Sequence, residues 1–144
     1  MTGPPAGGRG HRVVPHTADV ILEAWGTDLA SCCDEAVAAL TGLYAAGGPA
    51  AEVGRRHVHL PAGTDESLLL AVLDEVIFTL DTAAAVPVRS EARAAPDGGL
   101  DLSLILADRD TVRPAGAVPK AVARSELAVV SRPGAVRCRF LVDV

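Results

Sequence analysis

The sequence predicts an α+β fold, a single domain in which a largely antiparallel or mixed β-sheet carries two α-helices packed on one face. Two stretches repeat apolar residues at intervals of three and four, which is typical of amphipathic helices. Much of the second half alternates apolar and polar residues between Pro- and Gly-containing turns, which is typical of hairpins. The 144 residues suffice for one hydrophobic core. We expect a flexible tail over residues 1–10 and one domain over residues 11–144.

The first part of the chain predicts two strands and then a helix. Residues 12–14 are a short apolar strand, and residues 20–25 begin with β-branched side chains that favour a second strand. Thr27 or Asp28 is a suitable N-cap, so we expect the first helix over residues 28–46. Its apolar face comprises Leu29, Cys33, Ala36, Val37, Leu40, Leu43 and Tyr44.

A third strand and a second helix follow. Residues 55–60 alternate, which predicts a half-buried strand with His57 and His59 on one face. These histidines could bind a metal, but we favour an exposed polar face because nothing nearby in sequence completes a site. Acidic residues in the first turn suit a helix over residues 65–81. Its apolar stripe comprises Leu68, Leu69, Val72, Leu73, Val76, Ile77 and Leu80.

The remaining residues predict four strands arranged as two hairpins. These strands are residues 86–94, 100–106, 121–130 and 135–144. Turn signals at residues 96–99 and 132–134 join them in pairs. The predicted order is therefore β, β, α, β, α and four strands, and we expect both helices to pack on one sheet that contains both hairpins.

Composition argues against a protein that binds nucleic acid strongly by itself. The chain is 49% apolar and 22% charged, with a formal net charge of −5. Affinity for nucleic acid comes mainly from basic side chains that neutralise phosphates, so we expect no strong direct binding. Seven arginines nevertheless lie in or beside strand-like stretches, and we interpret them as solvated strand faces. They are Arg12, Arg89, Arg93, Arg124, Arg132, Arg137 and Arg139.

The cysteines and the first residues predict a reducing compartment. Cys32, Cys33 and Cys138 form neither a disulfide framework nor a CxxC motif. We interpret them as reduced core thiols of a cytoplasmic protein. The N-terminal residues resemble no signal peptide, and no stretch is apolar enough to be a membrane helix. We therefore expect no membrane partner.

The polar residues most suggestive of a site lie near the two ends of the predicted domain. Asp19 follows His16 in a turn between apolar strands, and Asp143 interrupts an apolar strand before the carboxylate of Val144. If these groups meet, they form a cluster of hard oxygen ligands that a cation or the lone lysine, Lys120, would have to compensate. The alternative is that Asp19 caps a turn and Asp143 is solvated. Neither a motif for a catalytic nucleophile nor a phosphate-binding loop occurs in the sequence.

In its motifs the sequence resembles the archease family. His16-Thr17-Ala18-Asp19 matches the family's His-Thr-Ala-Asp turn, and Lys120-Ala121-Val122 matches its Lys-Ala-Val segment. Val142-Asp143-Val144 matches its terminal Asp-Val, and the likeness spans roughly residues 12–144. The chain departs from the family at residues 123–125, where Ala-Arg-Ser replaces a hydroxyl residue, an aromatic residue and a histidine.

The resemblance implies a non-catalytic accessory protein for an RNA ligase of the tRNA-splicing type. Such a protein promotes guanylylation of the ligase by GTP and its multiple turnover, and it binds a divalent metal ion (Ca²⁺, Mg²⁺ or Mn²⁺). By the resemblance, Asp19 and Asp143 are metal ligands and Val144 a further one. Lys120 is then a functional cation near the site, and His16 holds the turn.

Two other classes of function are open to this sequence. The first is a protein-binding or chaperone-like module without a functional metal site, which the departures at residues 123–125 favour. The second is a metal-dependent hydrolase, which is disfavoured because no general base or activated nucleophile accompanies the carboxylates.

Overall fold

The computed structural model describes residues 7–14 and 19–144, and it has an α+β architecture. Its elements in chain order are β1 (Gly10–Val14), β2 (Val20–Gly26), α1 (Leu29–Thr41), β3 (Glu52–Leu60), α2 (Asp65–Thr82), β4 (Val86–Ala94), β5 (Leu100–Ala107), β6 (Ala121–Val122), β7 (Ala128–Arg132) and β8 (Ala135–Asp143). Short 3-10 turns lie at Arg109–Thr111 and Arg124–Glu126. The predicted fold class, with two helices and antiparallel strands, is confirmed.

The strands form two sheets, whereas the sequence predicted one. The five-stranded sheet has the order β1-β2-β8-β6, and β7 also pairs with β8. The three-stranded sheet has the order β3-β5-β4. Each hairpin therefore belongs to a different sheet, and all pairs are antiparallel.

The predicted strand over residues 121–130 is interrupted. β6 and β7 both pair with β8, at opposite ends of it, and the 3-10 turn at Arg124–Glu126 separates them. The Ala123 amide still donates to the Leu141 carbonyl, so the segment leaves the edge of the sheet only over this turn.

Helix α1 begins as predicted and ends earlier. The Asp28 carboxylate accepts from the Ser31 amide while the Ser31 hydroxyl accepts from the Asp28 amide, a reciprocal cap. The helix ends at Thr41 rather than residue 46, because the Leu43 and Tyr44 amides bond three residues back instead of four. Tyr44 remains buried, and its hydroxyl donates to the Pro87 carbonyl.

Two acidic side chains of α1 connect the two sheets. The Asp34 carboxylate accepts from the Ser90 hydroxyl at 2.7 Å and the Ala92 amide at 2.9 Å, both on β4. The neighbouring Glu35 carboxylate bonds to Arg9 and to His11 on the β1 side. The helix therefore bridges an edge strand of each sheet, and Asp34 satisfies an amide that β4 would otherwise leave unpaired.

One core lies between α1, α2 and the inner faces of both sheets. It contains Leu22 and Phe140 from the five-stranded sheet, Leu102 from the three-stranded sheet, and most of the apolar stripe of α2. β1 begins at Gly10, one residue before the predicted domain start, and residues 1–6 of the predicted tail lie outside the described residues. No helix among the described residues is long and apolar enough to cross a membrane.

Truncating the centre of the α2 stripe should destabilise the fold. Leu73 is fully buried, so Leu73→Ala removes apolar contacts and leaves a cavity, and we expect a loss of about 2–5 kcal/mol. Phe78 on the same helix is 52% exposed and stacks on Arg56, so Phe78→Ala should cost about 1 kcal/mol or less. Urea unfolding of both variants measures the difference, and equal losses would contradict this packing.

The helix-to-strand bridge should respond differently to two substitutions of Asp34. Burial raises the pKa of Asp34 in spite of its two donors. The protonated form is therefore favoured in the folded state, and this contribution to stability is lost as pH rises through the folded pKa. At neutral pH Asp34→Asn, which keeps an acceptor without the charge, should preserve or raise the unfolding free energy.

Asp34→Ala should instead lose about 1–3 kcal/mol, because the Ala92 amide loses its acceptor. Thermal melts between acid and neutral pH compare the two variants. An Asn variant as unstable as the Ala variant would show that the charge itself holds the helix on β4.

Candidate metal centre at the end of the five-stranded sheet

The pairing of β2 with β8 defines the end of the sheet near which Asp19 and Asp143 lie. The register runs from Gly26 opposite Val136 to Val20 opposite Val142. Asp19 precedes Val20 and Asp143 follows Val142, so each aspartate adjoins one residue of this last pair. Cα atoms of opposed residues in antiparallel strands lie roughly 4.5–5.5 Å apart, so the two strand ends that lead to the aspartates are neighbours.

Lys120 and Val144 lie at the same end of the sheet as Asp143. Ala121 is the β6 partner of Asp143, and the preceding Lys120 amide donates to the Asp143 carbonyl at 2.8 Å. The Lys120 ammonium makes no ion pair within the part of the chain that the structure describes.

Strand alternation places Asp143 on the side of the sheet away from the helices. On β8 the buried side chains are Val136, Cys138, Phe140 and Val142, which face the helices. Asp143 alternates with them and belongs to the opposite side, which we call the outer face. Asp19 immediately precedes β2. Neither carboxylate has a hydrogen bond or ion pair with another described residue.

The donor set fits a hard divalent cation better than a soft one. Two carboxylates and an oxygen of Val144 would be oxygen ligands of the kind that Mg²⁺, Ca²⁺ and Mn²⁺ prefer. Among the described residues there is no group of three or more His, Cys, Asp or Glu side chains that could hold a metal. The proposed set contributes only two such side chains, and His16 lies outside the described residues.

The two strand histidines do not form a second metal site. His57 Nδ1 bonds to the Ser103 hydroxyl at 2.8 Å. The His59 ring lies between two carboxylates, with Nδ1 2.8 Å from Asp101 and Nε2 2.7 Å from Asp97. The histidines therefore bond to different partners, as expected for an exposed polar face.

The cysteines are free and buried, as the sequence predicted. Burial raises the pKa of the Cys33 thiol far above its ordinary value, and the Cys32 thiol donates to the Ala24 carbonyl. These thiols are core groups and not nucleophiles.

Sequence reasoning missed the Asp34 bridge and a cleft elsewhere on the molecule. The cleft has a volume of about 520 Å³ and lies between the end of α1 and residues 111–113. Its lining includes none of the candidate metal ligands.

Three comparisons bear on the identity of the chain. A model of the archease protein family (MTH1598/TM1083) matches residues 11–144. Two curated relatives from Mycobacterium tuberculosis, strains CDC 1551 / Oshkosh and ATCC 25618 / H37Rv, are each named "Probable protein archease". Each is 39% identical over 144 residues, which cover 100% of this chain and 80% of the relative.

Two solved structures share the fold. The solution structure of Methanobacterium thermoautotrophicum protein 1598 has a TM-score of 0.72 and 22% identity, covering 94% of this chain and 99% of that one. The crystal structure of an archease, described as a possible chaperone, from Thermotoga maritima has a TM-score of 0.65 and 16% identity. It covers 100% of this chain and 98% of its own. At these identities the likeness concerns the fold.

The imidazole of His59, which bonds to Asp97 and Asp101, should have a raised titration midpoint. The hydrogen bonds to Asp101 and Asp97 raise the pKa of His59. The cluster therefore favours the folded state at low pH, and this contribution is lost as pH rises through the His59 pKa. NMR titration should find a midpoint above the ordinary value of about 6.5. Asp101→Asn should lower it and Asp110→Asn, a change at an exposed site elsewhere, should not. An unchanged midpoint in Asp101→Asn would contradict this arrangement.

Proposed function

The chain belongs to the archease family, and we propose on that basis that it is a non-catalytic accessory protein for an RNA ligase of the tRNA-splicing type. Its role is to promote guanylylation of the ligase by GTP and repeated turnover. It acts in the cytoplasm through a divalent-metal site at the end of the five-stranded sheet. Its first partner is the ligase.

The β2–β8 register is the observation that carries the proposal. β2 begins at Val20, opposite Val142, and Asp19 and Asp143 each adjoin one residue of this pair, although 123 residues separate the two aspartates in sequence. Two carboxylates that lie close together repel unless a cation compensates them. Their lack of partners among the described residues leaves both free to bind one.

Each candidate residue then has a distinct part. Asp19, Asp143 and an oxygen of Val144 hold the ion, and His16 supports the turn that carries Asp19. Lys120, next to Asp143 across the sheet edge, adds a positive charge near the ligands. A bound Ca²⁺, Mg²⁺ or Mn²⁺ ion would supply positive charge and open coordination positions to a phosphate or to a group of the ligase.

The alternative is a protein-binding or chaperone-like module without a functional metal site. It is favoured by residues 123–125, whose Ala-Arg-Ser replaces the hydroxyl, aromatic and imidazole groups of the family. Arg124 and Ser125 belong to the 3-10 turn between β6 and β7, close in sequence to Lys120. In this alternative Asp19 and Asp143 are solvated end residues.

A guanylylation assay with the ligase and GTP separates the two functions. Asp143→Asn should remove most of the stimulation, because it removes a charged ligand while conserving size. Asp110→Asn changes the charge equally at an exposed position in the 109–111 turn and is the matched control. Circular dichroism should report an unchanged fold for both variants.

The dependence on metal gives a second measurement. Wild-type stimulation should fall after chelation and return with excess Mg²⁺, Mn²⁺ or Ca²⁺, assayed against a metal control for the ligase alone. Full stimulation by Asp143→Asn would favour the module without a metal site.

A further inference from the structure

Strand pairing shows which arginines lie on the same face of a sheet, which the sequence alone does not show. On β8, Arg137 and Arg139 alternate with buried residues and therefore lie on the outer face. Arg12 shares that face because it is opposite Glu23, which is opposite Arg139. Arg132 shares it because it is opposite Ala135. Four arginines of three different strands thus lie on one side of the sheet, away from the helices.

Two of these arginines bind the same carboxylate, that of Glu23. Glu23 accepts from Arg12 Nε at 2.9 Å and lies 3.5 Å from an Arg139 terminal nitrogen. Arg132 and Arg137 have no ion-pair partner among residues 7–14 and 19–144. This part of the face carries four positive charges and one negative charge, although the whole chain has a net charge of −5.

The outer face of the three-stranded sheet provides the contrast. It also carries arginines, but Arg55 pairs with Glu91, and Arg89 pairs with Glu52 and Glu91. Those guanidinium groups are already neutralised by neighbours on the same sheet. Arg93 on the same face lies opposite Asp101, so arginines and carboxylates are balanced there, and the excess of arginines belongs to the five-stranded sheet.

An aromatic surface lies beside the unpaired guanidinium groups. Trp25 is opposite Arg137, and Val130 flanks Arg137 on the other side and is 39% exposed. The indole lies over Gly10 of β1, where an added Cβ would come within 2.6 Å of the ring. The Arg12 guanidinium lies 5.4 Å from the ring centroid. Glycine at position 10 thus allows the ring to lie along the sheet.

From this arrangement we propose that the outer face of the five-stranded sheet binds a single RNA strand, with its phosphates on the arginines and a base beside Trp25. The identification of the bound polyanion as RNA rests on the proposed function. Proteins that bind single strands combine a basic track with an aromatic side chain in this way. Guanidinium groups also match phosphate geometry better than lysine does.

The same face continues to the candidate metal centre. On the outer face of β8, Arg137 and Arg139 are followed by Leu141 and then by Asp143. From Arg137 to Asp143 is six residues, or roughly 20 Å of strand. RNA lying along β8 would therefore reach Asp143, where a bound cation would offset the repulsion between the carboxylate and a phosphate.

The binding test uses the intact protein and a fluorescently labelled 12-nucleotide single-stranded RNA of mixed sequence. Anisotropy should show binding at low salt whose log–log slope against salt is about −2 to −3, as expected for three or four phosphate contacts. Trp25 is the only tryptophan in the chain, so its fluorescence should change on binding. A flat salt response or an unchanged tryptophan signal overturns the proposal.

Charge-matched variants locate the surface. Arg132→Gln with Arg137→Gln should weaken binding at least tenfold and reduce the slope by about 1.4, the share of two contacts. Arg93→Gln with Arg113→Gln removes the same charge from exposed arginines elsewhere and should leave binding nearly unchanged. Equal losses in both double variants would mean non-specific attraction and would overturn the proposal.

The guanylylation assay distinguishes this proposal from the proposed function, because it contains no RNA. The Arg132/Arg137 variant should retain stimulation of the ligase by GTP, and Asp143→Asn should lose it. If the Arg132/Arg137 variant loses that stimulation but binds RNA normally, the face holds an acidic surface of the partner protein and the RNA proposal is wrong. If RNA binding is lost as expected while Asp143→Asn stimulates fully, only the proposed function fails.

Discussion

The pairing of β2 with β8 is the constraint on which the rest of the structure depends. Seven consecutive residues of β2 oppose β8, and this ladder joins the N-terminal hairpin to the C-terminal one. It turns Leu22 and Phe140 toward the helices and Glu23 and Arg139 toward the outer face. Because the side-chain period of a strand is two, a slip of one residue would exchange these faces. The core and the arginine surface therefore depend on one register.

Local signals in the sequence predicted most elements of the fold. The capping residues and apolar spacing located α1 and α2, and the buried residues of α2 are those of the predicted stripe, with Thr79 in addition. The partition into two sheets was not predictable, because pairing depends on contacts between residues distant in sequence. The end of α1 was placed too late because Leu43 and Tyr44 continue the apolar spacing in a tightened turn. Apolar spacing does not distinguish such a turn from an α-helix.

The candidate site was predictable to a different extent. The residue types alone suggested that Asp19 and Asp143 would form a cation site if they meet, and the resemblance to the family favoured that interpretation. In the structure Asp143 ends β8, and Asp19 immediately precedes β2, the strand that pairs with β8. For the arginines, the sequence showed which residues are basic but not which of them lie together on one surface. Only strand pairing separates Arg137 and Arg139 from Arg55 and Arg89, whose charges are already compensated.

Glu23 shows how one face can carry both a basic surface and an acidic end. It is 8% exposed, so its charge would be costly without the two arginines beside it. By binding Arg12 and Arg139 it fixes their positions while leaving a net positive charge around it. Leu141 and Ile21 then form an apolar row between this region and the aspartates. Arg139 and Asp143 are four residues apart on β8, roughly 13 Å along the strand. This distance exceeds the Debye length of about 8 Å at physiological ionic strength, so the two regions of opposite charge interact only weakly across solvent.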